Sequence, residues 1–415
     1  MELLNKILEK IKPSKEEEKE VLSKVDILLS RINKNLKDAK AILGGSGVKG
    51  TWLRNVHDAD IFVLFNYNKY KDKSSGLSII LEKTLKKQFT KLIRLHGSRD
   101  YFQIKQKDFT FEIVPILDIK KAEQAKNITD VSPLHANWVN KKGKQLKDEI
   151  RLTKQFCKAN DVYGAESYIQ GFSGYICEIL TIYYGGFLNL IKNAAKWKDK
   201  AIVDAENHWK AKNILMELNK SKTNSPLIVI DPVQKDRNAA AALSKEKFEK
   251  FKEAAKNFIK NPSEKFFEIK KINQELLKKK AGKNELIILE IKPQKGKEDV
   301  IGCKLVKALD FIKQKLAQND FKVLGHGFEW EKESFFYFII QKEKLSDFIQ
   351  REGPPLENKA HVENFKNKHK ETFIKNKRIY AKIKRHYIKA ENLIKDLTKE
   401  DYLKDKLEGV KIKNE

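Results

Sequence analysis

The sequence predicts a multidomain protein that combines an α/β part with an α+β part. Its 415 residues exceed the length of one typical domain. In the first 120 residues, apolar runs typical of buried strands alternate with amphipathic helical patterns, and a strand–helix–strand–strand pattern follows between 285 and 340. Because 40% of the residues are hydrophobic, the chain can bury several cores.

The first 120 residues predict a mixed sheet that follows two helices. Apolar residues recur at three- and four-residue spacing on both sides of Pro13, which favours one helix before it and another after it, within 1–39. A short strand then runs into the turn at 44–47. The elements predicted next are a strand at 58–66, a helix at 76–94 and a strand at 109–119.

Helical patterns dominate from about 133 to 220. A polar, basic stretch at 269–285 is a plausible domain boundary, and the last 55 or so residues predict a charged helical tail. The other elements predicted here are a strand at 227–232, a Lys-rich helix at 239–260, a strand at 285–293, a helix at 298–318, and strands at 321–330 and 333–341.

The net charge of +28 and the pI near 9.6 favour a polyanionic partner, either nucleic acid or an anionic membrane face. Arginine supplies only nine of the 85 basic residues, so lysine dominates. Such lysine dominance is also typical of a biased genome or a hot habitat. Charge alone therefore favours nucleic acid without deciding for it.

The three cysteines form no C-x-x-C pair, so the sequence suggests neither a zinc site nor a disulfide framework. The first residues form a charged amphipathic pattern and not a signal peptide, and no apolar run reaches the roughly 18 residues of a membrane span. These features predict a soluble cytoplasmic protein without a membrane partner.

Asp58 and Asp60 stand two residues apart at the start of a predicted strand, so both side chains point to the same face. Two close carboxylates repel each other, and a divalent cation between them removes that cost. Glu112, the one charge in the apolar part of the later strand, can supply a third carboxylate. Hard oxygen ligands suit magnesium, or manganese, rather than zinc.

The turn Gly44–Gly47 can bring backbone N–H groups close to a triphosphate, and Ser46 and Lys49 add donors beside it. A glycine–serine turn alone is a weak signal, and an isolated D-x-D is weaker, because most such acids are solvated. Their combination, followed at once by an apolar strand, is far more specific for a phosphate- and metal-binding site.

The stretch GGSGVKGTWLRNVHDADIFVLF at 44–65 resembles the signature of the polymerase-beta-like nucleotidyltransferases. Including the TWL between the serine and the acids, it is most similar to the archaeal-type (class I) CCA-adding enzymes. Oligoadenylate synthetases and poly(A) polymerases of the same superfamily have a similar stretch, so the first 120 residues do not separate these families.

Blocks further along the chain favour the CCA-adding enzymes. The stretches at 132–139, 151–180 and 229–244 are similar to blocks of the central and adjoining regions of that family, in the same order. REGPP at 351–355 resembles a C-terminal block. The resemblance covers most of the chain, strongly to residue 244 and in patches beyond it.

The resemblance implies three domains. A catalytic domain with the polymerase-beta-like nucleotidyltransferase fold and a mixed sheet would span 1–130. A mostly helical central domain that binds nucleotide and tRNA would span 131–265, and an α+β region with the helical tail, which binds tRNA, would span 266–415.

The resemblance implies that the catalytic residues, which also bind the metal, are Asp58, Asp60 and Glu112. It implies that the nucleotide is bound by Gly45, Ser46, Lys49, His135, Lys154, Tyr163 and Arg237. Relatives often carry arginine at the position of Lys49, which keeps the charge and loses the forked contact. Arg237 matches an arginine that helps to read the base, and it is informative because arginine is scarce in this chain.

Several of these residues are also consistent with a purely structural role. His135 is consistent with a hydrogen-bonded core histidine, and Tyr163 with simple packing. The basic and aromatic stretch at 374–393 suits RNA binding, and it equally suits an amphipathic helix that buries Ile379 and Ile383 together with Tyr387.

The resemblance to the CCA-adding enzymes implies that the chain adds C, C and A to the 3′ end of tRNA from CTP and ATP. It implies two-metal phosphoryl transfer without a nucleic-acid template, with Mg²⁺ or Mn²⁺ as cofactor. Its RNA contacts are expected at the 3′ end and the acceptor stem. A homodimer is compatible with the sequence, which fixes no oligomeric state. The alternatives are an oligoadenylate synthetase or poly(A) polymerase, or a non-catalytic RNA-binding protein on the same scaffold.

Overall fold

The computed structural model describes residues 2–55, 57–209, 214–270, 272–330 and 333–413. The chain divides into two compact units, Met1–Lys270 and Lys271–Glu415. The fold class predicted from the sequence is confirmed, since helices accompany separate mixed and antiparallel sheets along the chain.

The first part of unit 1 is built around a five-stranded sheet. Its elements are α1 (Glu2–Ile11), α2 (Lys15–Asn33), β1 (Ala39–Leu43), α3 (Gly45–Lys49), β2 (Asp58–Asn66), α4 (Tyr67–Tyr70), α5 (Leu77–Lys86), β3 (Ile93–Leu95), β4 (Tyr101–Gln106) and β5 (Phe109–Asp118). The strand order is β1-β2-β5-β4-β3, with β2 parallel to β5 and the other pairs antiparallel.

The two faces of β2 explain why the acids lie at its start. Ala59, Ile61, Val63 and Phe65 alternate along the strand and are buried in a core that includes apolar residues of α2 and α5. Side chains alternate between the faces of a strand, so Asp58 and Asp60 lie on the face opposite this core. The strand is therefore anchored on one face and carries carboxylates on the other.

The second part of unit 1 is mostly helical, with a small three-stranded sheet. Its elements are α6 (Ser132–Lys142), α7 (Lys147–Ala159), α8 (Gly174–Tyr184), α9 (Phe187–Ala194), β6 (Ala201–Asp204), α10 (Ile214–Glu217), α11 (Lys220–Thr223), β7 (Leu227–Asp231), β8 (Gln234–Asn238) and α12 (Lys245–Lys260). The sheet order is β6-β7-β8. Apolar residues of α1 are buried in the core of these helices and not in the core beneath the five-stranded sheet.

Some local predictions in unit 1 are wrong. The turn predicted at 44–47 is mostly the short helix α3, and the helix predicted at 76–94 ends at Lys86, after which β3 begins at Ile93. The Lys-rich helix predicted from 239 begins at Lys245. Strands β4, β6 and β8 were not predicted, because each is short or polar and shows no long apolar run.

Unit 2 contains two antiparallel sheets. Its elements are α13 (Gln274–Ala281), β9 (Glu285–Pro293), α14 (Glu298–Gln318), β10 (Val323–Glu329), β11 (Phe335–Ile340), β12 (Phe348–Pro355), α15 (Lys359–Lys368), β13 (Thr372–Lys375), β14 (Arg378–Lys384), α16 (Ala390–Leu397), α17 (Asp401–Lys404) and β15 (Leu407–Ile412). The sheet orders are β10-β11-β9-β15 and β12-β14-β13. The predicted strand–helix–strand–strand pattern of β9, α14, β10 and β11 is confirmed.

The predicted helical tail is wrong, because strands β13, β14 and β15 lie within the last 55 residues. The stretch at 374–393 does not form the amphipathic helix that was one of the two interpretations left open by the sequence. Ile379 is buried in β14, which pairs with β13 across a turn where Asn376 and Lys377 both have positive φ. Ile383 lies on the same strand, so the four-residue spacing of the two isoleucines spans two strand repeats instead of one helical turn.

Within the described ranges, no single helix is long and apolar enough to cross a membrane. One bent pair, Gly174–Tyr184 with Phe187–Ala194, passes the same test by length and composition, with a bend of 94°.

A buried ion pair fastens the end of β5. Asp130 is fully buried and accepts hydrogen bonds from the Leu117 N–H at 2.9 Å and from the Arg99 guanidinium at 2.5 Å. It also accepts from the N–H groups of Lys126 and Asn127 at 3.0 and 2.9 Å. One carboxylate thus compensates for four donors, and its loss leaves a buried guanidinium without its counter-charge.

We therefore expect Asp130→Ala to destabilise unit 1 by about 3–5 kcal/mol, the usual cost of removing one partner of a buried pair. Four of the five tryptophans lie in unit 1, so urea denaturation followed by tryptophan fluorescence reports on it. The control is Asp72→Ala, an exposed residue of the same part. Equal stability of the two variants would contradict this account.

Candidate active site

The register of the parallel pair β2 and β5 brings the predicted acids together. Asp60 on β2 lies directly opposite Glu112 on β5. Asp58, two residues earlier on the same face of β2, lies opposite Thr110. The Gln103 side-chain amide on β4 donates a 2.7 Å hydrogen bond to Glu112 Oε1 and fixes that carboxylate. Two neighbouring strands therefore present three carboxylates at one place.

Two glycines allow the chain to pass close to these acids. A Cβ on Gly44 would lie 2.4 Å from the Phe62 ring, and a Cβ on Gly45 would lie 1.6 Å from Asp60 Oδ2. Gly45 also has φ +53°, in the left-handed region that favours glycine. The glycines are thus required by contact with β2, and Gly45 places the first turn of α3 against the Asp60 carboxylate.

The acids form an electrostatically costly group in the absence of a counter-charge. Burial, and then the charges of Glu112 and Asp58, raise the pKa of Asp60 to about 6. Burial also raises the pKa of Asp58, an effect that the nearby Lys158 ammonium opposes. Lys158 on α7 was not singled out from the sequence.

A divalent cation fits this donor set by chemistry. Carboxylate oxygens are the ligands that magnesium and manganese prefer, and a cation would offset the repulsion that raises the pKa of Asp60. Across the described part of the chain, no three His, Cys, Asp or Glu side chains are already gathered closely enough to enclose a metal. Asp58, Asp60 and Glu112 are therefore not gathered as a preformed metal site, and their binding of the ion stays a prediction.

Lys49, a predicted phosphate contact, and Lys154, a predicted nucleotide contact, share a buried carboxylate that the sequence did not reveal. Glu178 of α8 is fully buried and accepts hydrogen bonds from Lys49 Nζ at 2.6 Å, Lys154 Nζ at 2.8 Å and Thr51 Oγ1 at 2.9 Å. Lys154 Nζ also donates to both oxygens of Thr51. All three protons of Lys154 thus have partners within the protein, whereas Lys49 has one.

This cluster concentrates positive charge. Burial alone would raise the pKa of Glu178, but the charges and hydrogen bonds of Lys154 and Lys49 outweigh it and lower that pKa to about 2. Burial lowers the pKa of Lys154, and the Glu178 charge opposes this effect. One negative charge thus stabilises two ammonium groups, which leaves a net positive charge beside the acids.

His135 and Arg237 meet at a second buried carboxylate. Asp231, the last residue of β7, accepts a hydrogen bond from His135 Nε2 at 3.0 Å and one from Arg237 Nη1 at 2.5 Å, both at Oδ2. The Tyr175 hydroxyl donates to Oδ1 at 3.3 Å, and the Tyr175 ring stacks on His135 with centroids 4.1 Å apart. The core-histidine interpretation of His135 is right to the extent that its Nε2 is hydrogen-bonded inside the protein.

Tyr163 lies beside the start of α8 and close to Lys158 of α7. Its hydroxyl lies beside Gly174, where a Cβ would be 2.9 Å away, and Lys158 Nζ is 5.1 Å from its ring centroid. Burial raises the pKa of the Tyr163 hydroxyl, so the group stays protonated.

A cavity of about 540 Å³ is bordered by Ser46 of α3 and by Asp58 and Asp60 of β2, together with residues of α2 and α7. His135, Lys154, Tyr163 and Arg237 are not among the described residues that line it. Lys49 connects the acids at the cavity with the residues around Glu178 and Tyr175. It pairs with Glu178, and its Nζ lies 6.0 Å from the Tyr175 ring centroid. Its charge also opposes the rise in the pKa of Asp60.

Sequence reasoning missed the carboxylates that organise the predicted basic residues. Glu178 is the one charged residue in the apolar helix GYICEILTIYY, and Asp231 ends a fully buried strand just before a proline. A lone acid in an otherwise apolar element is a signal that could have found both, because a buried charge requires a partner.

The fold and the acids define a nucleotidyltransferase. Residues 25–135 match the family model of the nucleotidyltransferase domain. Solved structures of a cytoplasmic RNA terminal U-transferase and of Cid1 share the fold, with TM-scores of 0.50 and 0.51 at 17% and 16% identity. They cover 65% and 66% of this chain, and 98% of each of those chains is covered.

The chain belongs to the CCA-adding enzyme family. It is 36% identical over 368 residues to the CCA-adding enzyme of Nanoarchaeum equitans. The matched region covers 88% of this chain and 89% of that protein. The CCA-adding enzyme of Methanocaldococcus jannaschii is 30% identical over 95% of this chain and 90% of its own length. Residues 148–268 match the model of the tRNA nucleotidyltransferase second domain, and residues 283–408 match that of the CCA-adding enzyme C-terminal domain.

We expect Glu178→Gln to lower the stability of unit 1 in a pH-dependent manner. The folded pKa of about 2 lies below the ordinary value of 4.5, so the ionised carboxylate stabilises the fold above pH 4.5 and that contribution is lost as pH falls towards 2. The shift corresponds to about 3 kcal/mol.

Urea denaturation of wild type and variant at pH 7 and at about pH 3 measures this difference. It should be largest at pH 7 and shrink at the lower pH. The exposed Glu217→Gln serves as the control. A stability difference that does not change with pH would show that Glu178 acts through packing and not through its charge.

Proposed function

We propose that this protein adds C, C and A to the 3′ end of tRNA from CTP and ATP, without a nucleic-acid template. Membership of the CCA-adding family supports the substrates. The observation that carries the chemistry is the juxtaposition of Asp58, Asp60 and Glu112 with Gly45 and the first turn of α3. Carboxylates beside the glycine-rich start of α3 suit the transfer of a nucleotidyl group.

In the proposed reaction, the 3′ oxygen of the RNA forms a bond to the α-phosphorus of the nucleotide. The bond from the α-phosphorus to the bridging oxygen breaks, and pyrophosphate and a proton are released. Mg²⁺ or Mn²⁺ held by Asp58, Asp60 and Glu112 would supply Lewis-acid stabilisation of the charge on the phosphates.

The protein's own groups position the nucleotide in this proposal. Ser46 lies on α3 next to the acids, and Lys49 would contact the phosphates with the ammonium protons that Glu178 does not use. Lys154 would contribute its positive charge and hold Lys49 in place through Glu178, since its own protons are engaged. Gly45 would offer its backbone N–H to the phosphates. Tyr163, beside Lys158, would form one wall of the nucleotide site.

His135 and Arg237 would contact the nucleotide further from the acids. The part predicted at 131–265 would thus bind nucleotide, and the basic strands of unit 2 would bind the body of the tRNA. RNA of A-form geometry is recognised through its phosphates and 2′-hydroxyls, for which a chain with net charge +28 is suited.

The function is tested by incubating the protein with tRNA that lacks its terminal CCA, with CTP and ATP separately and together. The expected result is addition of C from CTP alone, and of C, C and A when both are present. Addition of A without prior C would favour an oligoadenylate or poly(A) polymerase. The absence of pyrophosphate release in the presence of Mg²⁺ would favour a non-catalytic RNA-binding protein.

We expect Asp58→Asn or Asp60→Asn to reduce incorporation by about a thousandfold or more, since the carboxylates support several kcal/mol of charge stabilisation. Binding of tRNA should stay within about twofold, because RNA affinity comes from dispersed lysines and arginines. Single-turnover incorporation and filter binding measure the two quantities.

The matched control is Asp108→Asn, an exposed residue in the turn that joins β4 to β5 of the same sheet. It should behave as wild type in both assays. Parallel loss of incorporation and tRNA binding in the Asp58 and Asp60 variants would assign those acids a structural role instead.

A further inference from the structure

Asp231 is the centre of a polar group whose role in the reaction is not explained by the acids of β2 and β5. All five residues of β7 are buried, and Asp231 is fully buried at its end. A carboxylate in such a position is costly unless it is compensated by hydrogen bonds and positive charge. The groups that donate hydrogen bonds to Asp231 therefore indicate which side chains this carboxylate holds in place.

The Asp231 carboxylate is saturated. Its Oδ1 accepts the Val233 N–H at 3.0 Å and the Tyr175 hydroxyl at 3.3 Å. Its Oδ2 accepts His135 Nε2 at 3.0 Å and Arg237 Nη1 at 2.5 Å. A carboxylate accepts about four hydrogen bonds, so Asp231 has no capacity left for a metal ion or a substrate. It acts only through the side chains that it holds.

The bond to Asp231 decides which atoms of His135 and Arg237 can meet a ligand. Because the carboxylate is an acceptor, the proton of His135 lies on Nε2, and Nδ1 is the nitrogen left for a ligand. Arg237 commits one of its amino groups to Asp231, and within the described residues the rest of the guanidinium has no hydrogen-bond partner. The Arg237 side chain is 32% exposed. The fork is thus fixed at one arm and open at the other.

The side chains around Asp231 lie close to Lys49, the predicted phosphate contact. Tyr175 stacks on His135 at an interplanar angle of 28°, and Lys49 Nζ lies 6.0 Å from the Tyr175 ring centroid. Lys49 is also the last residue of α3, the helix whose Ser46 borders the same cavity as Asp58 and Asp60. A nucleotide whose phosphates lie at Lys49 would therefore extend its base towards the end of the site where Arg237 is held.

We propose that Asp231 is a positioning residue for base selection: it fixes the Arg237 guanidinium and His135 in one orientation, so that CTP and ATP are distinguished from GTP and UTP. This inference rests on the proposed function. It assigns the discrimination to a rigid unit of four side chains on α6, α8, β7 and β8 and not to Arg237 alone. A planar fork selects a base edge only when its orientation is fixed.

The direct test is Asp231→Asn in the full-length protein, with single-turnover incorporation of each of the four nucleotides on tRNA that ends before the position to be filled. An asparagine side chain has nearly the same shape, but its NH₂ end cannot accept a hydrogen bond from His135 or Arg237. Selectivity for the correct nucleotide over GTP and UTP should fall about tenfold to a hundredfold, the discrimination of one bidentate base contact.

A double-mutant cycle with Arg237→Lys tests whether Asp231 works through Arg237. Lysine keeps the charge and loses the fork. If Asp231 acts by orienting the guanidinium, the loss of selectivity in the double variant should be close to that of Arg237→Lys alone. If instead the loss of selectivity in the double variant equals the sum of the losses in the two single variants, the proposal is overturned. Independent sites give additive effects, and coupled sites do not.

Three further variants separate positioning from folding. Asp204→Asn changes the aspartate at the end of the neighbouring strand β6, which accepts the Trp209 N–H, and should leave selectivity unchanged. Asp231→Glu keeps a carboxylate and should recover part of the selectivity. Tyr175→Phe removes one hydrogen bond and keeps the ring, so a small loss of selectivity in the same direction is expected even if Asp231→Asn does not fold.

The outcomes of the two proposals are distinguishable. Wild-type protein that fails to add C and A would end the proposed function, whatever the variants do. Wild-type protein that adds C, C and A, combined with equal losses for all four nucleotides in Asp231→Asn and Tyr175→Phe, would keep that function and overturn the role of Asp231 in base selection.

Discussion

The buried charge of Glu178 is the interaction on which the site depends. It lies on α8, yet two of its three partners, Lys49 and Thr51, belong to the segment that follows β1. That segment leads directly to Asp58, so the carboxylate ties the five-stranded sheet to the helical part of unit 1. A neutral residue at this position would leave two ammonium groups close together in a poorly solvated place. The positive side of the site therefore exists because one negative charge is buried beneath it.

The sequence predicted the features whose meaning is local. The glycines, Ser46 and the acids of β2 are close together in the chain, and residue type and spacing are enough to predict their chemistry. Glu178 and Asp231 were not predicted, because each gains its role only from partners that lie up to about 130 residues away in the chain. The same reason explains the errors in secondary structure. Ile379 and Ile383 fit a helix and a strand equally well, and pairing with β13 decides between them.

The use of arginine follows the same geometry. The chain has only nine arginines, and Arg99 and Arg151 are nearly fully buried. Arg151 donates to the carbonyl oxygens of Trp52 and Gly50, and Arg99 to that of Pro115. These positions need a planar group with several donors, which lysine does not provide. Lysine thus supplies most of the positive charge, while Arg99, Arg151 and Arg237 are at positions where several donors must point in fixed directions.

The packing of α1 has a consequence for the order in which the chain folds. Leu4, Ile7 and Ile11 belong to the core of helices that lie well over a hundred residues later in the chain. During synthesis, this helix emerges long before its partners and must wait while the whole five-stranded sheet is made. Closing so long a loop is slow relative to local pairing, although its entropic cost grows only logarithmically with length. The five-stranded sheet can therefore fold as an inserted module, and the helical core of unit 1 is completed only after α12 has been made.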